Sequence, residues 1–443
     1  MSEPRAAAKG GVRSIGRALR HRNYRLFFAG QSISLIGTWL TRVATSWLIY
    51  RLTGSALLLG VLGFAGQIPT FLLAPLAGVL VDRWDRYRVL VVTQVLAMVQ
   101  SAALAALTIP GVIRVWHVVA LSVLQGLINA FDMPARQSMV VQMVEDRADL
   151  PNAIALNSSM VNAARLVGPA LAGVLIAAVG EGWCFFADAL SYLAVITSLL
   201  FMQIDTRPRE AKTTRVLHEM AEGFRYAIGS PAIRSVLLLL AVVSLAGMPY
   251  SVLLPVIAKE VLGGGAGTLG ALTSASGCGA LVAALYLASR KSVLGLGRII
   301  VACAAIFGVG LVGLSRVSVV ALALPIMFVT GAGMMVQMAA SNTMLQTIVD
   351  EDKRGRIMSL FAMAFFGTAP IGSLVAGALA SRIGAQGTIG AGGLVCVAGA
   401  IFFFRALPEI RRTIRPIYVR LGIVPETRQG VENAAELTRP PET

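Results

Sequence analysis

Charge is scarce in this chain. Of its 443 residues only 14% are Asp, Glu, Lys or Arg, while 56% are hydrophobic and the mean hydropathy is +0.75. A soluble fold of this length needs far more charge to cover its surface, which excludes a water-soluble globular protein. Cysteine and histidine are sparse too. Cys184, Cys278, Cys303 and Cys396 stand singly inside apolar runs, and His21, His117 and His218 lie far apart near expected helix ends. They form no disulfide framework, metal-ligand spacing or catalytic triad. The sequence carries no sign of an enzyme, and neither a metal nor another cofactor is expected. Long polar loops are also missing, so a separate recognition domain has no room.

Apolar runs are what the chain has in abundance. A membrane helix takes about 20 such residues, so the length accommodates about twelve spans. They are expected at 25–50, 55–81, 88–109, 115–135, 153–178, 183–203, 233–258, 268–289, 298–315, 317–343, 357–381 and 387–407. A repeat groups them. Residues 136–180 align without a gap to 340–384, so that Gln142, Asp146, Gly168, Ala172, Gly173 and Gly180 meet Gln346, Asp350, Gly372, Ala376, Gly377 and Gly384. The fold class is therefore an all-α polytopic membrane protein, with twelve transmembrane helices in two six-helix pseudo-repeats. Residues 1–23 form a basic arm without the apolar region or cleavage site of a secretory signal, and its later part is expected along anionic lipid. Residues 24–204 form the first bundle, and 205–231 a linker with an amphipathic surface helix, Val216–Ile228. Residues 232–407 form the second bundle and 408–443 a polar tail, its end disordered.

A net charge of +16 could suggest nucleic acid, but basic residues cluster at the ends of alternate apolar runs, as membrane topology requires. All but seven of the 38 lysines and arginines fall on the termini and the even-to-odd loops. Arg51, Arg114, Lys259, Arg316 and Arg382 lie on the other side, and Arg42 and Arg165 within spans. Both termini are thus expected in the cytoplasm. The expected partners are membrane lipids and a small-molecule substrate, with no nucleic acid, and the protein is expected to be a monomer.

Intramembrane charge is the next signal. An unpaired charge at the centre of a span costs about 3 kcal/mol on insertion scales, so Arg42, Asp132, Arg165 and Asp188 each need a partner or water. Arg42 and Asp188 share a depth and could pair, as a structural link or as a proton-sensitive switch. Asp132 suits a headgroup anchor or a coupling role. Arg165, near mid-depth, either touches substrate or holds spans together. Gln31, Thr38, Gln125, Asn129 and Gln337 could line a pathway or make interhelical hydrogen bonds.

The loop Gly78-x-x-x-Asp82-Arg83-x-x-Arg86-x-Arg88 between spans 2 and 3 resembles the signature of the major facilitator superfamily, with Asp85 where that family usually has Gly. The resemblance implies a cytoplasmic latch between the halves: Gly78 packs closely, Asp82 is the latch acid and Arg83 and Arg86 tie it down. Arg356, or the N-terminus of span 11, is the partner expected for Asp82. It also implies that spans 1, 4, 7 and 10 line the substrate cavity, with alternating access between the halves. Gly168-Pro169 with Gly173 in span 5 resembles the glycine-proline motif of antiporters in that superfamily, which favours export over uptake. The R-x-x-Q-G motif of span 4 is incomplete, as Ser122-Val-Leu-Gln125-Gly126, so proton antiport rests on kinship. Phe131-Asp-Met-Pro-Ala-Arg136-Gln, Asp149-Leu-Pro-Asn-Ala and Thr343-Met-Leu-Gln-Thr347 resemble the bacterial branch of enterobactin and macrolide exporters. That branch implies export of small amphipathic drugs or siderophores across the inner membrane, driven by the proton gradient. A lipid or lysophospholipid transporter is the alternative within transport, and a non-transporting membrane sensor the one outside it.

Overall fold

The computed structural model describes residues 16–203, 216–290 and 292–424. The first part of the basic arm, the first part of the linker and the end of the tail lie outside the described residues. The first bundle holds α1 (Arg22–Thr53), α2 (Ala56–Arg83), α3 (Arg86–Thr108), α4 (Val115–Met143), α5 (Leu150–Val179) and α6 (Glu181–Leu200). After the linker helix α7 (Val216–Gly229) come α8 (Pro231–Val261), α9 (Ala266–Ser289), α10 (Leu296–Leu314) and α11 (Val320–Ile348). The last helical stretch, Arg354–Arg420, turns at Gly384, whose φ of 78° and ψ of 163° are non-helical. We treat its arms as α12 (354–383) and α13 (385–420).

Ten of these stretches are long and apolar enough to cross a membrane. Counting α12 and α13 separately and adding the more polar α1 brings the number to twelve. Successive helices alternate in direction, so one face of the bundle carries the described ends of the chain (the terminal face) and the other is the far face. Large apolar side chains cover the outside: Val174, Leu72 and Phe402 are 69%, 65% and 72% exposed. Such a surface suits hydrocarbon, where the backbone must satisfy its own hydrogen bonds within helices.

The repeat is visible in the backbone. Gly180 joins α5 to α6 with φ 89° and ψ 171°, and its counterpart Gly384 joins α12 to α13 in nearly the same conformation. Such positive φ values are open chiefly to glycine, which explains why both glycines keep register.

At three places the structure departs from the expected boundaries. The tail stays helical through Arg420 despite Pro408 and Pro416, because Ile410 and Ile414 are buried against the bundle. The later part of the arm is tied to the start of α5: Ala18 N donates to Asn152 Oδ1 at 2.9 Å, and Arg17 and His21 meet Asp149 at 3.6 and 3.1 Å. The linker helix α7 lies against the second bundle. Tyr226 donates to Asp350 Oδ2 at 3.1 Å and Lys353 sits 4.5 Å from the Tyr226 ring centre. Burial first, and then the Asp350 carboxylate, push the Tyr226 hydroxyl pKa up.

Candidate functional site

The halves meet along two crossings related by the repeat. A Cβ on Gly270 of α9 would fall 2.4 Å from the Pro169 carbonyl and 3.0 Å from Gly173 Cα of α5. A Cβ on Gly60 of α2 would fall 2.6 Å from the Ser373 carbonyl and 2.8 Å from Gly377 Cα of α12. Pro169 and Gly173 align with Ser373 and Gly377 in the repeat, so the two contacts are the same contact made twice. Both need backbones too close for any side chain beyond hydrogen. Gly168 faces α1 instead, where its Cβ would meet Trp39 Cβ at 2.4 Å.

These crossings lie toward the far face. There Tyr50 of α1 donates to the Glu260 carboxylate of α8, and Lys259 sits 5.6 Å from the Tyr50 ring centre. Arg51 pairs with Glu181 at 2.7 Å beside them. Midway along α2, Phe71 packs on Gly367 of α12. Nearer the terminal face, a Cβ on Gly78 would meet nothing within 4 Å. The close packing expected of Gly78 is therefore not made in this conformation. The far-face cluster of Tyr50, Lys259 and Glu260 was missed in the sequence, where Lys259 counted only toward topology. An adjacent Lys-Glu pair ending a charge-poor span was the available signal.

At the terminal face the structure describes part of the motif between α2 and α3. The Asp82 side chain lies outside the described residues, although its backbone belongs to the last turn of α2. Arg356 Nη1 pairs with Glu222 Oε2 of α7 at 2.5 Å. Asp85 takes over the turn. With φ −66° it needs no glycine, and its carboxylate accepts from the Tyr87 and Arg88 amides at 3.0 and 3.3 Å, capping α3. Arg83 lines a groove of about 690 Å³ with Arg88, Leu96, Leu124 and Leu127, on the α3–α4 side. Arg86 begins α3.

The intramembrane charges are resolved one by one. Asp188 does not pair with Arg42. It is buried where α1, α3 and α6 meet, and accepts from Thr41 and Ser101 hydroxyls at 2.7 Å each and from Ser191 at 3.4 Å. Asp132 is no headgroup anchor. It is buried, pairs with Arg136 one turn on, and accepts from Thr93 Oγ1 at 3.0 Å and Gln94 Nε2 at 2.6 Å. Arg42 lies over Trp39, 4.7 Å from the ring centre, and within electrostatic range of Arg165. Neither arginine has a carboxylate partner among the described residues. Of the polar residues, Gln125 Nε2 reaches Asn129 Oδ1 at 3.1 Å and Thr38 donates to the Ser34 carbonyl at 3.0 Å. Gln337 and Gln31 are buried, and the side-chain oxygens of Gln31, Gln125 and Gln337 have no hydrogen-bond partner.

Two repeated six-helix bundles, in contact through paired small-residue crossings and holding isolated charges at membrane depth, define a polytopic transporter of the major facilitator type. The chain belongs to the transmembrane secretion effector family of that superfamily, whose model matches residues 16–417. It is 25% identical over 388 residues to the staphyloferrin A transporter of Staphylococcus aureus, covering 86% of this chain and 95% of that protein. It is 26% identical over 386 residues to the multidrug efflux pump Tap of Mycolicibacterium fortuitum, covering 85% and 93%. A solved peptide transporter shares the fold with a TM-score of 0.70 at 12% identity, over 88% of this chain and 95% of that one. The protein is thus a membrane transporter and not an enzyme.

Proposed function

We propose that this protein is a secondary active exporter of small amphipathic molecules in the bacterial inner membrane, working by alternating access with both termini in the cytoplasm. The observation that carries this reading is the asymmetry of closure. The halves touch from mid-helix to the far face through Gly60–Gly377, Gly173–Gly270 and Tyr50–Glu260, while Gly78 near the terminal face is open. With basic residues concentrated on the terminal face, this is a cytoplasm-open, loading conformation. Relatives named for a siderophore and for multidrug efflux support small-molecule export. Proton antiport is the coupling we assign. Asp132 and Asp188 are buried carboxylates at membrane depth, a type of residue that marks proton and substrate pathways in transporters.

The test uses purified protein in liposomes with fluorescent lipophilic cations, macrolides and catecholate siderophores, with and without an imposed pH gradient. Gradient-dependent movement of one class, abolished in Asp82→Asn, is expected. Movement that ignores the gradient would remove the antiport assignment. Failure of folded protein to move any class would refute export, and lysophospholipid translocation would be measured next.

A further inference from the structure

Among the described residues, Arg42 and Arg165 are the intramembrane charges that the fold leaves without an acid. The local geometry brings them together. Trp39 of α1 packs on Gly168 of α5, and the two helices run in the same direction. Arg42 lies one turn beyond Trp39, and Arg165 one turn before Gly168. Side chains on a helix lean toward its N-terminus, and the Arg42 guanidinium does so, lying over the Trp39 ring. The two cations lie within electrostatic range of each other, and Arg165 is half-buried. On the other half, Gly277 of α9 packs on the Arg165 carbonyl, which puts Arg165 where the bundles meet. Ser274 lies between Gly270 and Gly277 on the α9 face turned to α5, and its hydroxyl is buried without a partner.

Resting on the export reading, we propose that Arg42 and Arg165 form an anion-binding site at the junction of the halves, and that the transported molecules carry a carboxylate. Two guanidiniums held at membrane depth without acids repel each other until an anion sits between them. A carboxylate accepts paired hydrogen bonds from a guanidinium fork, and Trp39 beside it offers an apolar, aromatic face to the rest of an amphipathic molecule. Both arginines belong to the first bundle, so separating the halves would withdraw Ser274 and the α9 wall from the site and weaken its hold on the anion. A neutral or cationic substrate would gain nothing from this arrangement.

The experiment measures equilibrium binding in phosphatidylcholine nanodiscs, following Trp fluorescence quenching and probe anisotropy. The probes are carboxyfluorescein, its neutral ester and the lipophilic cation rhodamine. Carboxyfluorescein should bind and the other two should not. Arg42→Gln and Arg165→Gln should each weaken binding at least about tenfold, the scale of one lost charge-assisted hydrogen bond, and Arg165→Lys should restore part of it. Because the pair repels, the thermal midpoint of Arg165→Gln should be no lower than that of the unmodified protein. Equal binding of acid and ester, or unchanged affinity in both Gln variants, would overturn the proposal. So would absence of carboxyfluorescein binding. Binding is read without transport, so a carboxylate that binds but is not moved in liposomes would sink the export reading and leave the site standing.

Discussion

Gly377→Ala should shift this transporter away from the conformation described here while leaving its bundles folded. The new Cβ would lie 2.7 Å from Gly60 Cα, 2.9 Å from the Ala56 carbonyl and 3.0 Å from Gly60 N. All three are backbone atoms, so no side chain can rotate to make room and α2 must move away from α12. Overpacking of this kind costs about 1–3 kcal/mol. That cost falls only on the state in which the far face is closed, since the crossing joins the halves and not the interior of either one. At about 1.4 kcal/mol per tenfold, the ratio of far-closed to far-open molecules should fall by between about fivefold and about 150-fold. The assay is a pair of spin labels across the far face, on the α1–α2 and α9 turns, in a background where Cys184, Cys278, Cys303 and Cys396 are replaced. The distance distribution should gain a longer component, and Gly173→Ala, its counterpart in the repeat, should do the same. An unchanged distribution in both variants would refute the claim that these glycines are required for closure. A fall in thermal midpoint without a distance change would assign them to bundle folding.

Tyr50→Phe removes the hydroxyl that meets Glu260. Because Glu260 is exposed, the bond is worth about 1 kcal/mol, and the same labels should show about a fivefold shift toward far-open. Asp188→Ala strips the acceptor from three hydroxyls, Thr41, Ser101 and Ser191. It should cost about 2–4 kcal/mol, checked as a lowered midpoint in thiol-reactive dye melting; an unchanged midpoint would mean that water replaces the carboxylate. Arg356→Gln should loosen α7 by at most about 1 kcal/mol, since its bond to Glu222 is partly exposed. Trypsin should then cut the Arg207–Arg225 stretch faster, with no change in the midpoint of the bundles.

Much of this molecule was legible in one dimension because the bilayer constrains backbone and side chains so strongly. Chain in hydrocarbon must be helical and apolar for about 20 residues at a time, so span number, the linker helix and the repeat could be drawn from residue order. Gly180 and Gly384 stood out because a positive φ selects glycine. What failed were pairings. Arg42 and Asp188 share a depth, but α1 turns Thr41 and not Arg42 toward α6, and hydroxyls of three helices satisfy the carboxylate instead. Asp132 was placed at the headgroups because it sits near a span end, whereas α3 covers it with Thr93 and Gln94. The Arg356–Glu222 contact with α7 is one that residue order did not point to.

Sequence alone determined the class of fold, the two halves and the sidedness of charge, since these follow from periodicity and composition along the chain. Only the tertiary structure decided that α5 offers Gly168 to α1 and Gly173 to α9, that Tyr50 meets Glu260, and that Arg42 and Arg165 lie within electrostatic range of each other. Rotation of a helix about its own axis changes every one of these contacts and leaves its hydropathy untouched. That rotation is set by packing against neighbours distant in the chain, which hydropathy along the chain does not encode.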